Sequence, residues 1–443
     1  MPLRVAIVGS GPAGVYTAEA LTKQATAPVE VDVIERLPTP YGLVRYGVAP
    51  DHTSIKSIAG YLRRVLELPG VRFLGGIEFG RDAGVGDLLA CYDAVVYCTG
   101  AMVDRRMGIP GEDLPGSVAA TDFVNWYCGH PDVPADRFVL DSPEVAVIGV
   151  GNVAVDVVRV LAKTAGELSA TDVPEEVLAR LADSQVKAIH MIGRRGPEHA
   201  KFTLKELREL GELTNADVCV RPDEAPVSGE PSALPRQVRG NVEVLQAWAA
   251  RIPVGRPRRL DVRFWMRPVE ILGDGRVEAL RLERTRLEGG RVVGTGVFET
   301  LPVGMVLRSV GYQSVPLPGV PFSEATMTVP NEAGRVRDRE YVAGWLKRGP
   351  TGVIGTNKSD AAETVRTLLA DLDGREPAAR ADLVSLLAGR GVFPVTYRQW
   401  LSIEAAEAEL ARSLGRGERV KLPGLAAMLG AMTGGGDGAG PEG

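Results

Sequence analysis

Apolar residues near the start of the chain are concentrated in two short runs, residues 3–8 and 29–34. A run of this kind is typical of a strand buried inside a parallel sheet. Between the two runs, Val15, Ala18 and Leu21 recur at helical spacing, which predicts an amphipathic helix. The opening of the chain therefore predicts a strand–helix–strand unit with two parallel strands.

A glycine-rich turn joins the first predicted strand to the helix, with glycines at Gly9, Gly11 and Gly14. In a G-x-G-x-x-G turn these glycines provide the tight turn, the close approach of a pyrophosphate, and the close packing of helix on strand. Glu35 follows the second strand, 21 residues after Gly14, where a carboxylate can bind ribose hydroxyls. A glycine turn formed for packing alone is the alternative. Because strand, helix, second strand and acid occur together, we predict a dinucleotide bound at the N-terminus of this helix.

The same pattern occurs a second time, as an apolar run at residues 145–148 and a Gly-x-Gly-x-x-Ala turn at 149–154. The fingerprint permits alanine at its last position. The returning strand at 186–193 ends in Arg194 and Arg195 rather than in an acid. Guanidinium groups bind a 2′-phosphate bidentately, so this site is predicted to prefer NADP to NAD. A solvated basic turn without a ligand is the alternative.

An acid at the first site and an arginine pair at the second indicate FAD held permanently and NADP exchanging, the arrangement of a flavin oxidoreductase. We predict an α/β fold with two Rossmann-like dinucleotide-binding domains, the FAD domain being discontinuous and the NADP domain inserted. The predicted boundaries are 1–104 for the first FAD-binding part, 105–309 for the NADP-binding domain, and 310–443 for the second FAD-binding part with C-terminal helices.

Two further segments have distinctive patterns. Apolar alternation broken by turn signals predicts an antiparallel meander from residue 260 to 311, and a glycine-rich tail predicts disorder from about residue 434. Strand-like segments at 92–99 and 305–311 would carry the chain out of the first domain and back.

Composition excludes several classes of function. The chain has 443 residues, 45% of them apolar, and a net charge of −5, so we expect no nucleic-acid partner. No apolar run approaches the length of a membrane span and none resembles a signal peptide, so we expect a cytoplasmic protein without a membrane anchor. The four cysteines form no C-x-x-C pair and no metal-ligand spacing, so we predict reduced thiols, no metal site and no disulfide-reductase chemistry. We expect a monomer.

Two irregular segments are long enough to be functional. In the Pro- and Gly-rich loop at 36–52, Asp51 could cap the following helix, as could Thr53 just after the loop. The glycine-rich segment at 344–357 leads into a helix whose N-terminus could face the N1 side of a reduced flavin, although a simple loop and cap is the alternative.

Together these segments resemble the adrenodoxin reductase family of ferredoxin–NADP reductases, including its bacterial members, over nearly the whole chain. The resemblance is carried by five motifs, of which two are long and unusual: residues 9–14, 41–52, 152–154, 193–196 and 344–354.

The resemblance implies which residues contact each cofactor. FAD would be bound by the first glycine turn and by scattered later positions: Gly9, Gly11, Ala13, Gly14, Glu35, Leu43, Ile77, Trp345, Gly352, Val353 and Ile354. NADP would be bound mainly around the second turn: Arg105, Gly151, Asn152, Val153, Ala154, Arg194, Arg195, Glu206 and Gly352. Glu206 also stands three residues after Thr203, which is the spacing of a capping box, and the two roles are compatible.

The resemblance also places His52 and Asp156 near the flavin. A buried histidine beside a carboxylate can titrate in the range that a flavin needs, so the pair could relay protons. The alternatives are a neutral, hydrogen-bonded loop histidine and a polar residue in the first turns of its helix. Both interpretations stay open at this point.

The implied enzyme is an FAD-dependent ferredoxin–NADP(+) reductase that takes a hydride from NADPH and passes single electrons to an acidic iron–sulfur ferredoxin, for example one that serves a cytochrome P450. Rival functions are an NADP-binding flavoprotein sensor without catalysis and the electron-input subunit of a larger flavoenzyme, a class that carries cysteine-rich cluster ligands ahead of its FAD fingerprint.

An acidic ferredoxin requires a basic docking face. The densest positive cluster in the sequence comprises Arg251, Arg256, Arg258, Arg259, Arg263 and Arg267. We expect docking near Arg256, Arg258 and Arg259, with a solvated cluster that has no partner as the alternative.

Overall fold

The computed structural model describes residues 2–227, 231–375, 381–417 and 419–433. The tail that the sequence predicts to be disordered lies outside these residues. The strands, in chain order, are β1 Leu3–Val8, β2 Val29–Ile34, β3 Val71–Gly75, β4 Ala94–Tyr97, β5 Val103–Asp104, β6 Ser117–Ala119, β7 Glu144–Ile148, β8 Ala188–Ile192, β9 Ala216–Val220, β10 Arg258–Arg263, β11 Met266–Leu272, β12 Ala279–Glu288, β13 Arg291–Pro302, β14 Met305–Arg308, β15 Tyr312–Gln313, β16 Arg335–Arg337, β17 Glu340–Val342 and β18 Val395–Thr396.

The helices connect these strands and close the end of the chain. They are α1 Pro12–Gln24, α2 Leu43–Tyr46, α3 Thr53–Lys56, α4 Ile58–Leu66, α5 Val85–Cys91, α6 Ala120–Tyr127, α7 Asn152–Ala162, α8 Ala165–Leu168, α9 Glu175–Ala182, α10 Leu204–Gly211, α11 Arg236–Ala249, α12 Trp345–Arg348, α13 Thr356–Leu372, α14 Leu383–Gly389, α15 Tyr397–Ser413 and α16 Gly424–Thr433.

The first sheet combines strands from both ends of the chain, in the order β16-β17-β4-β1-β2-β3-β18. Strands β17, β4, β1, β2 and β3 are parallel, and a short antiparallel strand closes each edge. The predicted β1-α1-β2 unit is confirmed, with Leu3 opposite Val29. Because β2 and β4 lie on opposite sides of β1, the loops at its carboxyl end diverge and leave a crevice there, where nucleotides bind in such sheets.

The second sheet is entirely parallel, in the order β6-β14-β7-β8-β10-β9. Its central strand β7 lies between β8 and β14, so it has the same kind of crevice at its carboxyl end. The predicted second unit is confirmed as β7-α7-β8, with α8 and α9 between α7 and β8. The predicted α/β class with two Rossmann-like units is therefore confirmed.

The predicted antiparallel meander is correct only for β11, β12 and β13, which form a separate three-stranded sheet. It is wrong for β10 and β14, which belong to the parallel sheet. The charged residues of β10 alternate with buried Leu260 and Val262, which is the pattern of a half-buried antiparallel strand.

The chain passes between the two sheets twice, and the two crossings pair with each other. Strand β5 lies antiparallel to β15, with Asp104 opposite Tyr312. Next to them, the Arg105 N–H donates to the Gly311 carbonyl at 2.9 Å. The strands of the first sheet lie before β5 or after β15, and those of the second lie between them. No helix of the described residues is long and apolar enough to cross a membrane.

Candidate active site

The first glycine turn is tightly enclosed by protein. A Cβ on Gly14 would lie 1.9 Å from the Gly9 carbonyl oxygen, and Gly9 itself has a φ of +110°. Two loops cover the turn: a Cβ on Gly42 would lie 3.0 Å from the Gly11 Cα, and one on Gly344 would lie 2.5 Å from the Ala13 Cβ. Helix α1 has no side-chain cap, so the N–H groups of its first turn are available to phosphate oxygens.

Glu35 lies directly after β2, at the carboxyl edge where the sequence places it. Its Oε2 accepts hydrogen bonds from the Ser10 hydroxyl at 2.7 Å and from the Ser10 N–H at 3.0 Å. Its Oε1 accepts from the Leu37 N–H at 3.2 Å. The carboxylate is thus fixed against the glycine turn, and Oε1 keeps a lone pair for a further donor such as a ribose hydroxyl.

The second glycine turn is open at its middle glycine, whereas its first glycine is packed as tightly as Gly9: a Cβ on Gly149 would lie 2.1 Å from the Ser309 carbonyl oxygen. Gly151 is the N-cap of α7 and makes no side-chain cap, and a Cβ placed on it would meet nothing within 4 Å. The Asn152 side-chain oxygen accepts from the Thr203 N–H at 2.9 Å and so ties the turn to the start of α10. Ala154 is buried, and Val153 is half-buried. This turn leaves backbone N–H groups and free space at one helix end.

Arg194 and Arg195 follow β8 at the carboxyl edge of the second sheet, and both are exposed. Their backbone carbonyls are used, accepting from Thr285 Oγ1 and from the Trp265 N–H respectively. Neither guanidinium has an ion-pair partner among the described residues, although many arginines of this chain do. Two unpaired guanidinium groups at this edge are what recognition of a phosphate requires.

His52 and Asp156 are brought together from different sheets. His52 lies at the end of the loop after β2, directly before α3, and Asp156 lies in α7. Their side chains meet with Nε2 2.8 Å from Asp156 Oδ1, and His52 is 5% exposed. Burial lowers the pKa of His52, but hydrogen bonds to Asp156 and Glu206 outweigh it and raise the pKa to about 9. The histidine is therefore buried and hydrogen-bonded, and it lies beside two carboxylates.

Glu206 makes only half of the capping box that its spacing suggests. Thr203 Oγ1 accepts from the Glu206 N–H at 3.3 Å, so Thr203 does cap α10. The Glu206 carboxylate does not return to Thr203, whose N–H is bound by Asn152. Instead its Oε2 lies 3.0 Å from His52 Nε2. Burial raises the pKa of Glu206, but the bond to His52 keeps it below its usual value.

Sequence analysis missed the residue at the centre of this cluster, which is Arg159. Its side chain is 2% exposed, and its Nε and Nη2 donate to the two oxygens of Asp51 at 2.8 and 3.0 Å. Asp51 also accepts from Lys163 Nζ at 2.7 Å, so it pairs across the interface instead of capping α3. The one available signal was the spacing of Arg159, three residues after Asp156 on the same face of α7.

The remaining predicted positions lie on segments that connect the strands of the first sheet and beside the two crossing strands. Leu43 begins α2 inside the loop that covers the first turn, Ile77 is buried after β3, and Trp345 packs 5.7 Å, centroid to centroid, from Tyr312. The segment Gly352, Val353 and Ile354 precedes α13, and Val353 is 67% exposed. Arg105 is exposed beside the crossing strands.

The arginine cluster is less uniform than its sequence suggests. Arg263 is 1% exposed and pairs with Glu224 and Glu299, so it contributes no surface charge. Arg256 and Arg258 donate to backbone carbonyls of Ala216 and Lys163, at 3.1 and 2.8 Å. Arg259 is exposed and pairs with Asp261. Arg256, Arg258 and Arg259 lie at the amino end of β10, whereas Arg267 lies on β11, just beyond the carboxyl end of β10.

Comparison with known proteins identifies the family of this chain. Residues 3–194 match the family model described as pyridine nucleotide-disulphide oxidoreductase. The chain is 44% identical to the NADPH-ferredoxin reductase FprA of Mycobacterium leprae (strain TN), over 96% of this chain and 97% of that protein. The chain belongs to the adrenodoxin reductase family of ferredoxin–NADP reductases.

Two further relatives show how far this reductase family extends. The chain is 40% identical to the mitochondrial NADPH:adrenodoxin oxidoreductase of Homo sapiens, over 95% of this chain and 90% of that protein. The structure of Mycobacterium tuberculosis FprA in complex with NADPH superimposes with a TM-score of 0.93 at 42% identity, covering 98% of this chain and 100% of that chain. The family resemblance inferred from sequence motifs is confirmed.

Proposed function

We propose that this chain is an FAD-dependent NADPH–ferredoxin reductase. The observation that carries the proposal is the pair of glycine turns with opposite ribose-side chemistry, in a chain that aligns over nearly its full length with NADPH-ferredoxin reductases. When bound, FAD supplies the exchange between a two-electron hydride and single electrons. The rest of the function depends on how the chain's own residues bind and orient the two nucleotides.

The residues of the first turn fit FAD. The uncapped start of α1 and the enclosed backbone at Gly9, Gly11 and Gly14 suit a pyrophosphate, and Glu35 suits the adenosine ribose. Enclosure by the loops at Gly42 and Gly344 supports a cofactor that stays bound. We assign the other FAD contacts to Ala13, Leu43, Ile77, Trp345, Gly352, Val353 and Ile354.

The residues of the second turn fit NADP(H). The open backbone at Gly151 suits a pyrophosphate that arrives and leaves, and the unpaired guanidinium groups of Arg194 and Arg195 suit a 2′-phosphate. We assign the remaining contacts to Arg105, Asn152, Val153, Ala154, Glu206 and Gly352. The division into FAD-binding segments at 1–104 and 310–443 and an NADP-binding segment at 105–309 belongs to the same proposal.

His52 and Asp156 hold a titratable proton between the two nucleotide-binding units. The 2.8 Å contact joins a loop of the first sheet to a helix of the second, so the proton lies at the interface between the two nucleotide-binding units. We propose that this pair relays a proton to or from solvent during turnover. No covalent nucleophile is needed, since positioning and electrostatics determine the rate of hydride transfer.

Flavin content and acceptor specificity test the function together. The purified protein should be yellow, should bleach with NADPH under argon, and should reduce both ferricyanide and, through an iron–sulfur ferredoxin, cytochrome c. A yellow protein that NADPH does not bleach would instead support the sensor. Bleaching with ferricyanide reduction, but without electron transfer to any ferredoxin of the host, would support an electron-input subunit.

Docking of an acidic ferredoxin near Arg256, Arg258 and Arg259 is a finer part of the proposal. Surface charge supports it through Arg259 and Arg256, which are exposed. The cluster lies at the amino end of β10, whereas the second glycine turn lies at the carboxyl end of β7, so the two are at opposite edges of one parallel sheet. Reversing all three arginines to Glu should lower ferredoxin-dependent cytochrome c reduction and leave ferricyanide reduction intact. Equal loss of both activities, or of neither, would remove the cluster from the docking face.

A further inference from the structure

One nitrogen of His52 lies within hydrogen-bonding distance of three different groups. Nε2 is 2.8 Å from Asp156 Oδ1, 3.0 Å from Glu206 Oε2 and 2.6 Å from Arg159 Nη2. The two carboxylates can only accept a hydrogen bond from this nitrogen, and the guanidinium can only donate one to it. These requirements are incompatible at any one moment.

The incompatibility defines two states of the imidazole. When Nε2 carries a proton, it donates to Asp156, with the Glu206 carboxylate as an ion-pair partner, and the guanidinium nitrogen faces another donor. When Nε2 has lost that proton, its lone pair can accept from Arg159, and the remaining proton is on Nδ1, which faces Glu209 Oε2 at 3.6 Å. Each state thus has its own partner in place.

We propose that Arg159 is a positioning residue for His52, and that its Nη2 donates a hydrogen bond to Nε2 of the neutral, Nδ1-protonated imidazole. The proton that leaves His52 is in this way replaced by a hydrogen bond from the adjacent guanidinium. Arg159 therefore fixes the tautomer of the neutral histidine. Its charge also counteracts the stabilisation of the protonated histidine by the carboxylates.

Arg159 is held in this position by contacts that do not involve His52. Its fork binds Asp51 through two nitrogens, and Asp51 is fixed in turn by Lys163. Burial would raise the pKa of Asp51, but hydrogen bonds from Arg159 and Lys163 hold it well below its usual value. Asp51 is therefore ionised throughout the working range of pH. If the guanidinium moved away, the buried carboxylate of Asp51 would lose this partner.

The charges around His52 come from three elements. Helix α7 provides Asp156, Arg159 and Lys163, helix α10 provides Glu206 and Glu209 with Lys205 at its edge, and the loop before α3 provides Asp51. Four carboxylates thus face three basic side chains besides the histidine. Arg159 is the cation in direct contact with the imidazole, and its charge opposes the rise that Asp156 and Glu206 cause in the pKa of His52.

The tautomer can be measured in the wild-type holoenzyme, without any variant. The protein contains four histidines, so ¹⁵N-histidine labelling gives few signals, and a His52→Gln variant identifies those of His52. Above its pKa, His52 should show the ¹⁵N pattern of an Nδ1–H tautomer. A neutral His52 protonated at Nε2 would overturn the proposal.

The effect of Arg159 is measured by titrating His52 in variants of the holoenzyme. Arg159→Gln should raise the pKa of His52 by about one unit or more, because a nearby positive charge is lost while the carboxylates remain. Arg159→Lys should lie closer to wild type, because the charge is kept. An unchanged or lowered pKa in Arg159→Gln would contradict the proposal. If Arg159→Gln does not fold, the Lys variant and the wild-type tautomer still decide it.

A matched control separates this role from a general loss of interdomain contacts. Arg416 is 7% exposed and binds the carbonyls of Ser169 and Thr171 together with Glu175, without touching His52. Arg416→Gln should leave the titration of His52 unchanged. The proposal rests on the proposed function only in expecting that the pH profile of NADPH oxidation moves with the pKa of His52. If the titration shifts and the profile does not, the proton relay fails but the positioning role stands.

Discussion

The two glycine turns of this chain have the same backbone design and opposite surroundings. The first is enclosed by loops at Gly42 and Gly344 and is closed on its ribose side by Glu35. The second has open space at Gly151 and two unpaired guanidinium groups beyond it. Under the proposed function, the same strand–turn–helix element binds a resident nucleotide in one case and an exchanging one in the other, and the difference comes from neighbouring loops and one charge reversal.

The largest effect should come from filling the enclosed turn. Gly14→Ala places a Cβ 1.9 Å from the Gly9 carbonyl, so the helix must move away from the strand and flavin should be lost from the purified protein. We expect a destabilisation of about 1–3 kcal/mol as well. Flavin content by absorbance and thermal unfolding measure the two effects. Gly60→Ala in α4 is the control, since its Cβ meets nothing and helix propensity alone should stabilise it slightly. A Gly14→Ala enzyme with full flavin content would show that the first turn is not enclosed.

The next largest effect should come from the charge beyond the second turn. Changing Arg194 and Arg195 together to Glu removes two charge-assisted hydrogen bonds and adds repulsion, so kcat/KM for NADPH should fall by about a hundredfold or more. Activity with NADH should change far less, which reverses or abolishes the preference for NADPH. Arg180→Glu on the exposed side of α9 should leave both activities unchanged. A parallel loss with both nucleotides would mean that the pair does not read the 2′-phosphate.

The smallest effect should come from the open turn itself. Gly151→Ala adds a Cβ that meets no protein atom at a φ of −117°, so stability and flavin content should be those of wild type. The KM for NADPH should rise by about tenfold, because the pyrophosphate must approach this backbone closely. Steady-state kinetics and thermal unfolding distinguish this pattern from that of Gly14→Ala. Equal effects of the two substitutions would remove the contrast between the turns.

Local patterns predicted the elements that lie next to each glycine turn. Within residues 3–35 and 145–154, strand, glycine turn and helix are adjacent in sequence. Spacing alone therefore predicted the positions of Glu35 and of the turn at Gly151. Arg194 was also within reach, because a returning strand ends at a fixed edge of the sheet. These positions are predictable because the turn, the strands and the residue after the second strand belong to one supersecondary unit.

Contacts between the two sheets could not be predicted in the same way. Arg159 pairs with Asp51 across 108 residues of sequence, and nothing in the local pattern around either residue indicates the other. The sequence predicts Arg263 as part of a surface cluster, because its partners, Glu224 and Glu299, are 39 and 36 residues away. The predicted antiparallel pairing of β10 is wrong for the same reason, since alternation along one strand does not reveal the neighbours of that strand.

The pairing of β5 with β15 determines how the second sheet is connected to the first. Asp104 and Tyr312 are opposite each other, so the second sheet leaves the first and returns to it at almost the same point in space. A host fold can accept a guest module in a surface turn without rearranging its own strands when the guest's ends are adjacent. All strands of the second sheet thus lie between two segments of the first, and a change in the length of the intervening chain leaves the pairing of the first sheet in place.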